Sequence, residues 1–463
     1  MKPVLVVDIV GLTQRLIGPE TPHLAALHAR GSGAPMDSVL PAVTCSAQAT
    51  LLTGLAPDGH GAVGNGWFDR ASGEVALWRQ SNALVGGEKI YEAARSRDPA
   101  FTCAKIFWWW NMGAAVDWSV TPRPFYPADG RKIPAIYGWP RSYPTELEAR
   151  LGRFPFFDFW GPKSGLPSSR WLADAAIHTL ATQRPTLTLV YLPHLDYDFQ
   201  RFGPDDPRSR QALREVDTLF GDLVAAAESH GTEVVAVSEY GLEAVERPIH
   251  INRALRSAGL LEVRETPVGE VLDVFGSRAF AVSDHQVAHV YAPDPEARAA
   301  AAEVLRGLDG VAEVLEGPTR AEQGLDHERA GDLVAVASAG AWFTYYYWLD
   351  AARAPDFAPT IDIHRKPGYD PCELFLDPSL AFPKLRIARR LAQKVLKMRY
   401  LMDVIPLDAS LVRGSHGRRV EDPADGPWFG CSRPFADCGG EPAGGVVAMT
   451  SVKQRVLDLI FRA

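Results

Sequence analysis

Residues 40–67, LPAVTCSAQATLLTGLAPDGHGAVGNGW, place one threonine, Thr44, at a strand-loop-helix junction and follow it with glycine-rich turns. Pro41 holds an extended approach, Thr44 falls at or near a helix N-cap, and residues 47–52 read as a helix of small side chains. A helix N-terminus is a ready anion site. An N-cap threonine alone is an ordinary feature, so the meaning of Thr44 depends on what the rest of the chain brings to it.

Residues 4–10 form a continuous apolar, β-branched run broken by Asp8, the pattern of a buried parallel strand with an acid at its carboxyl end. That end is where α/β sheets bind ligands. Residues 187–192 give a second such strand and lead into YLPHLDYDFQRFGPDDP. There His194 and Asp196 stand two apart, so an extended backbone would point both to one face, and Gln200 follows Asp196 by a helical turn. Residues 233–237 give a third, ending in Ser238-Glu239-Tyr240-Gly241. Helical patterns at 21–30, 170–183 and 206–229 alternate with these strands, which predicts an α/β fold on a mostly parallel sheet. Three converging carboxylates without basic partners repel one another, and a metal cation is the usual remedy.

Residues 67–155 are rich in aromatics and proline, with Trp108-Trp109-Trp110-Asn111 at their centre. They are expected as long loops and short helices over the sheet edge, a substrate wall. Residues 248–261 read as a helix opening near His250, and SDHQVAH at 283–289 puts His285 and His289 on or beside a strand. A helix at 294–308 and a strand at 311–316 make 262–330 a candidate small α+β insert. Residues 333–337 are expected back in the main sheet, with an aromatic strand at 342–348. His364 lies in the loop IDIHRKPGYDP, and His416 in RGSHGR. Residues 384–400 form a basic amphipathic helix, read as a solvated face in preference to a membrane surface.

The 463 residues carry a net charge of -8, without the basic field that a nucleic-acid polymer would need. The apolar run at the N-terminus is interrupted by Asp8 and lacks a cleavage site, so it is expected as a strand and not as a signal peptide. No run reaches membrane-spanning length. Five cysteines without a CxxC spacing argue against a disulfide framework and a structural zinc cluster, and the expected compartment is cytoplasmic.

In chain order, VVDIVGL, PAVTCSAQATLLTGLAPDGHGAVGN, DYDFQRFGP, SEYG and the late histidines resemble the alkaline phosphatase superfamily, in its type I phosphodiesterase / nucleotide pyrophosphatase branch. The resemblance implies a three-layer sandwich with a mostly parallel central sheet and a small α+β cap. It puts Asp8 on the first metal ligand, Thr44 on the nucleophile and Asn65 on the amide that contacts phosphate. The family's D-x-x-G-H-x-x-G-P appears with Asp196 kept and Gln200 in place of histidine; its S-D-H-G appears with Glu239 and Tyr240. The last ligand histidine is His364 or His416, with His194, His250 and His285 as possible replacements. Asp8, Thr44 and Glu239 would form the nucleophile side, and Asp196 with the late histidine, and with Gln200 or His194, the other. Two divalent ions are implied: zinc by resemblance, with manganese, iron or magnesium open because imidazole ligands are lost. The implied activity is metal-dependent hydrolysis of a small-molecule phosphodiester or pyrophosphate. The alternatives are a non-catalytic binding or scaffold protein, or a sulfate or phosphonate hydrolase of the same superfamily.

Overall fold

The computed structural model describes residues 1–128, 132–396 and 398–462. Val4–Ile9 is buried at every position and pairs in parallel with Leu187–Leu192 on one side and Glu233–Val237 on the other. A short apolar run covered on both faces is what a central parallel strand requires. The register sets Asp8 opposite Tyr191 and Val237, so the segments leaving all three strands meet at one edge of the sheet.

Among the described residues the sheet has nine strands. Beyond Leu187–Leu192 come Cys103–Ile106 and Trp118–Pro122, both parallel, and then Ile136–Trp139, antiparallel at the margin. Beyond Glu233–Val237 come Trp428–Cys431, Ser32–Asp37 and Val447–Ala448. Alternate residues of the first strand serve opposite cores: Val4 and Val6 pack with helices Thr44–Thr53 and Val452–Phe461. Leu5, Val7 and Ile9 pack with Pro22–Arg30, Leu166–Thr182 and Pro207–Ser229. Helices on both faces of the sheet make three layers.

Several expectations change. Residues 67–155 supply three strands of the main sheet as well as loops, because runs as short as CAKI become strands through their neighbours and not through their own propensity. Leu333–Ala337 does not return to the main sheet. It joins an antiparallel sheet with Phe280–Asp284, Val287–Tyr291 and Val311–Glu316, since an apolar five-residue run reads the same in either sheet and pairing with Val287–Val290 decides. Of the aromatic run, only Ala341–Phe343 is strand; Tyr345 to Trp348 leave it as buried packing. Residues 248–261 divide into a strand, Arg247–Ile249, and a helix, Ile251–Ser257. Pro383–Val395 is a helix without a single buried residue. No helix among the described residues is long and apolar enough to cross a membrane.

One buried ion cluster fixes the loop that leads back to the strand ends. Lys366 is 1% exposed and pairs with Asp370 at 2.8 Å and Glu373 at 2.7 Å. Removing the cation would leave two carboxylates buried and unpaired, at a cost of about 3–5 kcal/mol. Lys366→Met is therefore expected to lower unfolding stability by about that amount in a urea titration. A loss below about 1 kcal/mol would show that the cluster is not holding the loop.

Candidate active site

The three strand-end acids come together. Asp8 and Glu239 are fully buried and Asp196 is nearly so. Thr44 is the first residue of its helix, one place inside the cap position occupied by Val43. Its hydroxyl lies 3.4 Å from the Tyr240 hydroxyl, which donates to Asp196 Oδ1 at 3.5 Å.

A glutamine amide meets the carboxylates on each side. Gln48, one helical turn after Thr44, donates from Nε2 to Asp8 Oδ2 at 3.2 Å and to Glu239 Oε1 at 2.6 Å. Its orientation is fixed from behind, because the Trp109 backbone N–H donates to Gln48 Oε1 at 2.5 Å. Phe107 and Trp110 flank this contact with φ of 58° and 57°, a conformation that costs a bulky side chain energy and that the surrounding packing must enforce. Gln200 donates to Asp196 Oδ2 at 2.7 Å, and Tyr369 in turn donates to Gln200 Oε1 at 2.9 Å. Asp8 Oδ1 and Glu239 Oε2 have no partner.

Burial raises all three acids. Asp8 stands well above the ordinary carboxyl range, through burial and then the nearby Glu239 charge; burial pushes Glu239 and Asp196 each up to about 7.

A column of rings runs from Tyr240, whose hydroxyl meets Thr44, to Tyr369. Tyr240 and His416 stack with centroids 3.4 Å apart, His416 and His285 follow at 3.7 Å, and His285 and Tyr369 at 3.8 Å. His416 Nδ1 donates to the Ala42 carbonyl and His285 Nδ1 to Asp284 Oδ1, each at 2.8 Å, which leaves both Nε2 lone pairs without partners. Burial lowers both imidazole pKa values, so the rings are neutral.

Of the two late histidines, then, His416 is buried beside Tyr240, whereas His364 is exposed at the pocket mouth, its ring 6.2 Å from that of Tyr126. His194 and Asp196 do not share a face of an extended strand, because His194–Phe202 is a helix. His194 turns to Glu215 and His250 to Thr344, each at 2.8 Å. Asn65 has both ends of its amide engaged: Oδ1 accepts from the Cys45 N–H at 2.9 Å and Nδ2 donates to Asp284 Oδ1 at 3.1 Å. Sequence reasoning passed over Gln48, Asp284 and Tyr369. The helical-turn spacing from Thr44 was the available signal for Gln48; nothing local marks Asp284 or Tyr369.

The pocket above Thr44 encloses about 110 Å³ and is walled by Trp78, Trp109, Trp160, Tyr197 and Tyr369, with Arg123, Lys132 and His364 also on its lining. A larger cavity of about 730 Å³ lies beside Leu242, but its Arg15, Arg210 and Arg418 are already paired with Asp422, Glu20 and Glu243.

The profile of the type I phosphodiesterase / nucleotide pyrophosphatase family matches residues 4–370. The chain belongs to this family. Across 227 residues it is 25% identical to an uncharacterized pyrophosphatase/phosphodiesterase of Schizosaccharomyces pombe, covering 48% of this chain and 41% of that protein. It thus spans less than half the length of the curated relatives it matches. Among solved structures it is similar to phosphonoacetate hydrolase from Sinorhizobium meliloti, with a TM-score of 0.62 at 15% identity over 99% of this chain and 96% of that one. It is also similar to human ectonucleotide pyrophosphatase / phosphodiesterase 5, with a TM-score of 0.57 at 16% identity over 99% and 95%. The fold is that of the alkaline phosphatase superfamily, as the resemblance implied. Family membership makes the ligand set the point of interest. Among the described residues, no group of three or more His, Cys, Asp or Glu stands close enough to hold a metal ion.

The raised carboxyls give a stability signature for protein stripped of divalent ions. Glu239 and Asp196 hold their protons up to about pH 7 in the fold and lose them near pH 4 when unfolded. The folded state therefore binds more protons between those values, so stability is full below about pH 4 and falls as pH rises through 7. Urea titrations in EDTA should show a decline from pH 5 to pH 8, shallower in Glu239→Gln; an increase over that range would contradict the assignment.

Proposed function

We propose that the chain hydrolyses a phosphoester of a small molecule, a phosphodiester or pyrophosphate, with Thr44 as nucleophile. The observation that carries this reading is the Thr44 hydroxyl at the base of the pocket, at the start of a ten-residue helix and on the same edge as the unpartnered oxygens Asp8 Oδ1 and Glu239 Oε2. The family supports the reaction class, and the aromatic walls offer faces for a ring or an apolar chain on the substrate.

The residues fit one cation better than two. Asp8, Glu239 and Thr44 offer oxygen donors alone, a set for a hard ion such as magnesium or manganese and poor for zinc. In the other half the unpartnered atoms are the His285 and His416 Nε2 lone pairs, and the carboxylate is already occupied. Asp196 has its oxygens on Gln200 and Tyr240, the Gln200 amide presents N–H groups where a ligand lone pair is needed, and His416 lies flat in the ring column. When bound, the single cation would neutralise the two acids and lower the hydroxyl pKa.

In the proposed reaction Glu239 takes the Thr44 proton while Thr44 Oγ1 forms a bond to phosphorus and the ester oxygen leaves with its electron pair. The Tyr240 hydroxyl, backed by Asp196, is placed to return a proton to that oxygen. The first-turn N–H groups of the helix orient the remaining phosphoryl oxygens. Water then attacks phosphorus and passes one proton to the Tyr240 oxygen, while Thr44 Oγ1 leaves with its electron pair and takes back the proton held by Glu239.

A non-catalytic binding protein is the second reading, and Gln48 and Gln200 favour it, since each replaces cation contact by amide donation. Thr44→Ala is expected to lower kcat on aryl phosphodiesters by at least about 10³-fold in the presence of manganese or magnesium, with the circular dichroism unchanged. A variant as active as the parent removes Thr44 from the mechanism, and a parent inactive with every divalent ion supports the binding reading. Calorimetric titration with manganese should give one site per chain, lost in Asp8→Asn; two sites would reopen the second half.

A further inference from the structure

The helix Pro383–Val395 faces its neighbours the wrong way round for a surface helix. Its protein side is polar: Arg386 and Arg390 both pair with Asp403, the latter at 3.0 Å, while Ile387 is its one large apolar side chain against the core. Its apolar stripe is turned out. Leu385 is 67% exposed, Leu391 47% and Val395 80%, with Ala388 and Ala392 exposed between them at helical spacing. Phe382 and Leu396, at 73% and 69%, extend the stripe at both ends.

We propose that, in place of the solvated face expected from its sequence, this helix docks the protein reversibly on an anionic lipid surface. The chemistry of the occupant follows from charge. Residues 383–399 contain seven basic side chains and no acid in a chain whose net charge is -8, so positive charge is gathered around this exposed apolar stripe. Among the described residues Lys384, Arg389 and Lys394 take part in no ion pair within the chain. Apolar side chains that enter the acyl boundary, flanked by cations at headgroup level, are what an interfacial helix presents to an anionic leaflet. Thirteen residues with five charges cannot span a bilayer, so the helix lies on the surface. A second copy of this chain fits worse, because a face-to-face pairing of this helix would bring its cations against their own kind.

The pocket mouth is tied to the same segment. The Ile405 N–H, two residues after Asp403, donates to the Pro359 carbonyl at 3.0 Å, and the loop that continues from Pro359 carries His364 to Tyr126 at the mouth. Phe125, Tyr126, Trp139 and Phe157 are each more than half exposed in that part of the chain, and aromatic side chains of this kind suit the lipid–water interface.

The test is sedimentation of the full chain with unilamellar vesicles of phosphatidylcholine alone or with 40% phosphatidylglycerol (a composition of about this order suffices). Binding to the anionic vesicles is expected to exceed that to neutral ones by about tenfold or more and to weaken when sodium chloride is raised. Leu391→Glu with Val395→Glu should abolish it, and Lys384→Glu with Arg389→Glu should remove the preference for anionic lipid. All four positions are solvent-exposed, so an unchanged melting temperature will separate lost docking from lost folding. Equal binding to both vesicle types, or none to either, overturns the proposal. So does a concentration-dependent dimer in light scattering that the Leu391→Glu, Val395→Glu variant dissolves, which would assign the face to a second copy.

Discussion

Asp8, Asp196 and Glu239 lie buried at the carboxyl ends of three adjacent parallel strands, and among the described residues no lysine or arginine pairs with them. Charge of one sign in that position is the constraint to which the surrounding structure responds. Part of the response is protonation, since burial moves Glu239 and Asp196 to about 7. The rest is hydrogen bonding from neutral donors: the Gln48 amide reaches two carboxylates at once, and Gln200 and Tyr240 share the third. Each amide is itself oriented by a donor behind it, so neither is free to flip and present its oxygen.

This arrangement explains why distant segments must be held so firmly. The Trp109 N–H that fixes Gln48 comes from a turn whose flanking residues have positive φ, and the Tyr369 hydroxyl that fixes Gln200 comes from a loop tied down by buried Lys366. The ring column from Tyr240 through His416 and His285 to Tyr369 draws its members from four separate segments. Flat neutral rings fill the space beside the acids without adding charge. The half around Thr44 keeps two carboxylate oxygens unpartnered, Asp8 Oδ1 and Glu239 Oε2.

At the surface the same segregation of charge appears in another form. The site absorbs acids that lack cations, while residues 383–399 carry seven cations and no acid of their own. Arg386 and Arg390 spend theirs on Asp403, which turns the apolar stripe of the helix outward.

The sequence by itself determined the α/β architecture and the edge at which the acids gather, because apolar runs of five or six residues encode buried parallel strands and the polar residues at the end of each fall at the carboxyl edge. Thr44 was legible for the same reason, at the start of a helix whose preceding loop is fixed by local signals. The tertiary structure alone decided which neighbours those residues have. Gln48 is one turn from Thr44, but its meaning depends on Glu239, 191 residues away; His416 and His364 have equal claims in a linear chain, and only packing puts one beside Tyr240 and the other at the pocket mouth. The small sheet took Leu333–Ala337, and solvent took the apolar face of Pro383–Val395, for one reason. Periodicity records that a side of an element is apolar, and says nothing of what, if anything, will cover it.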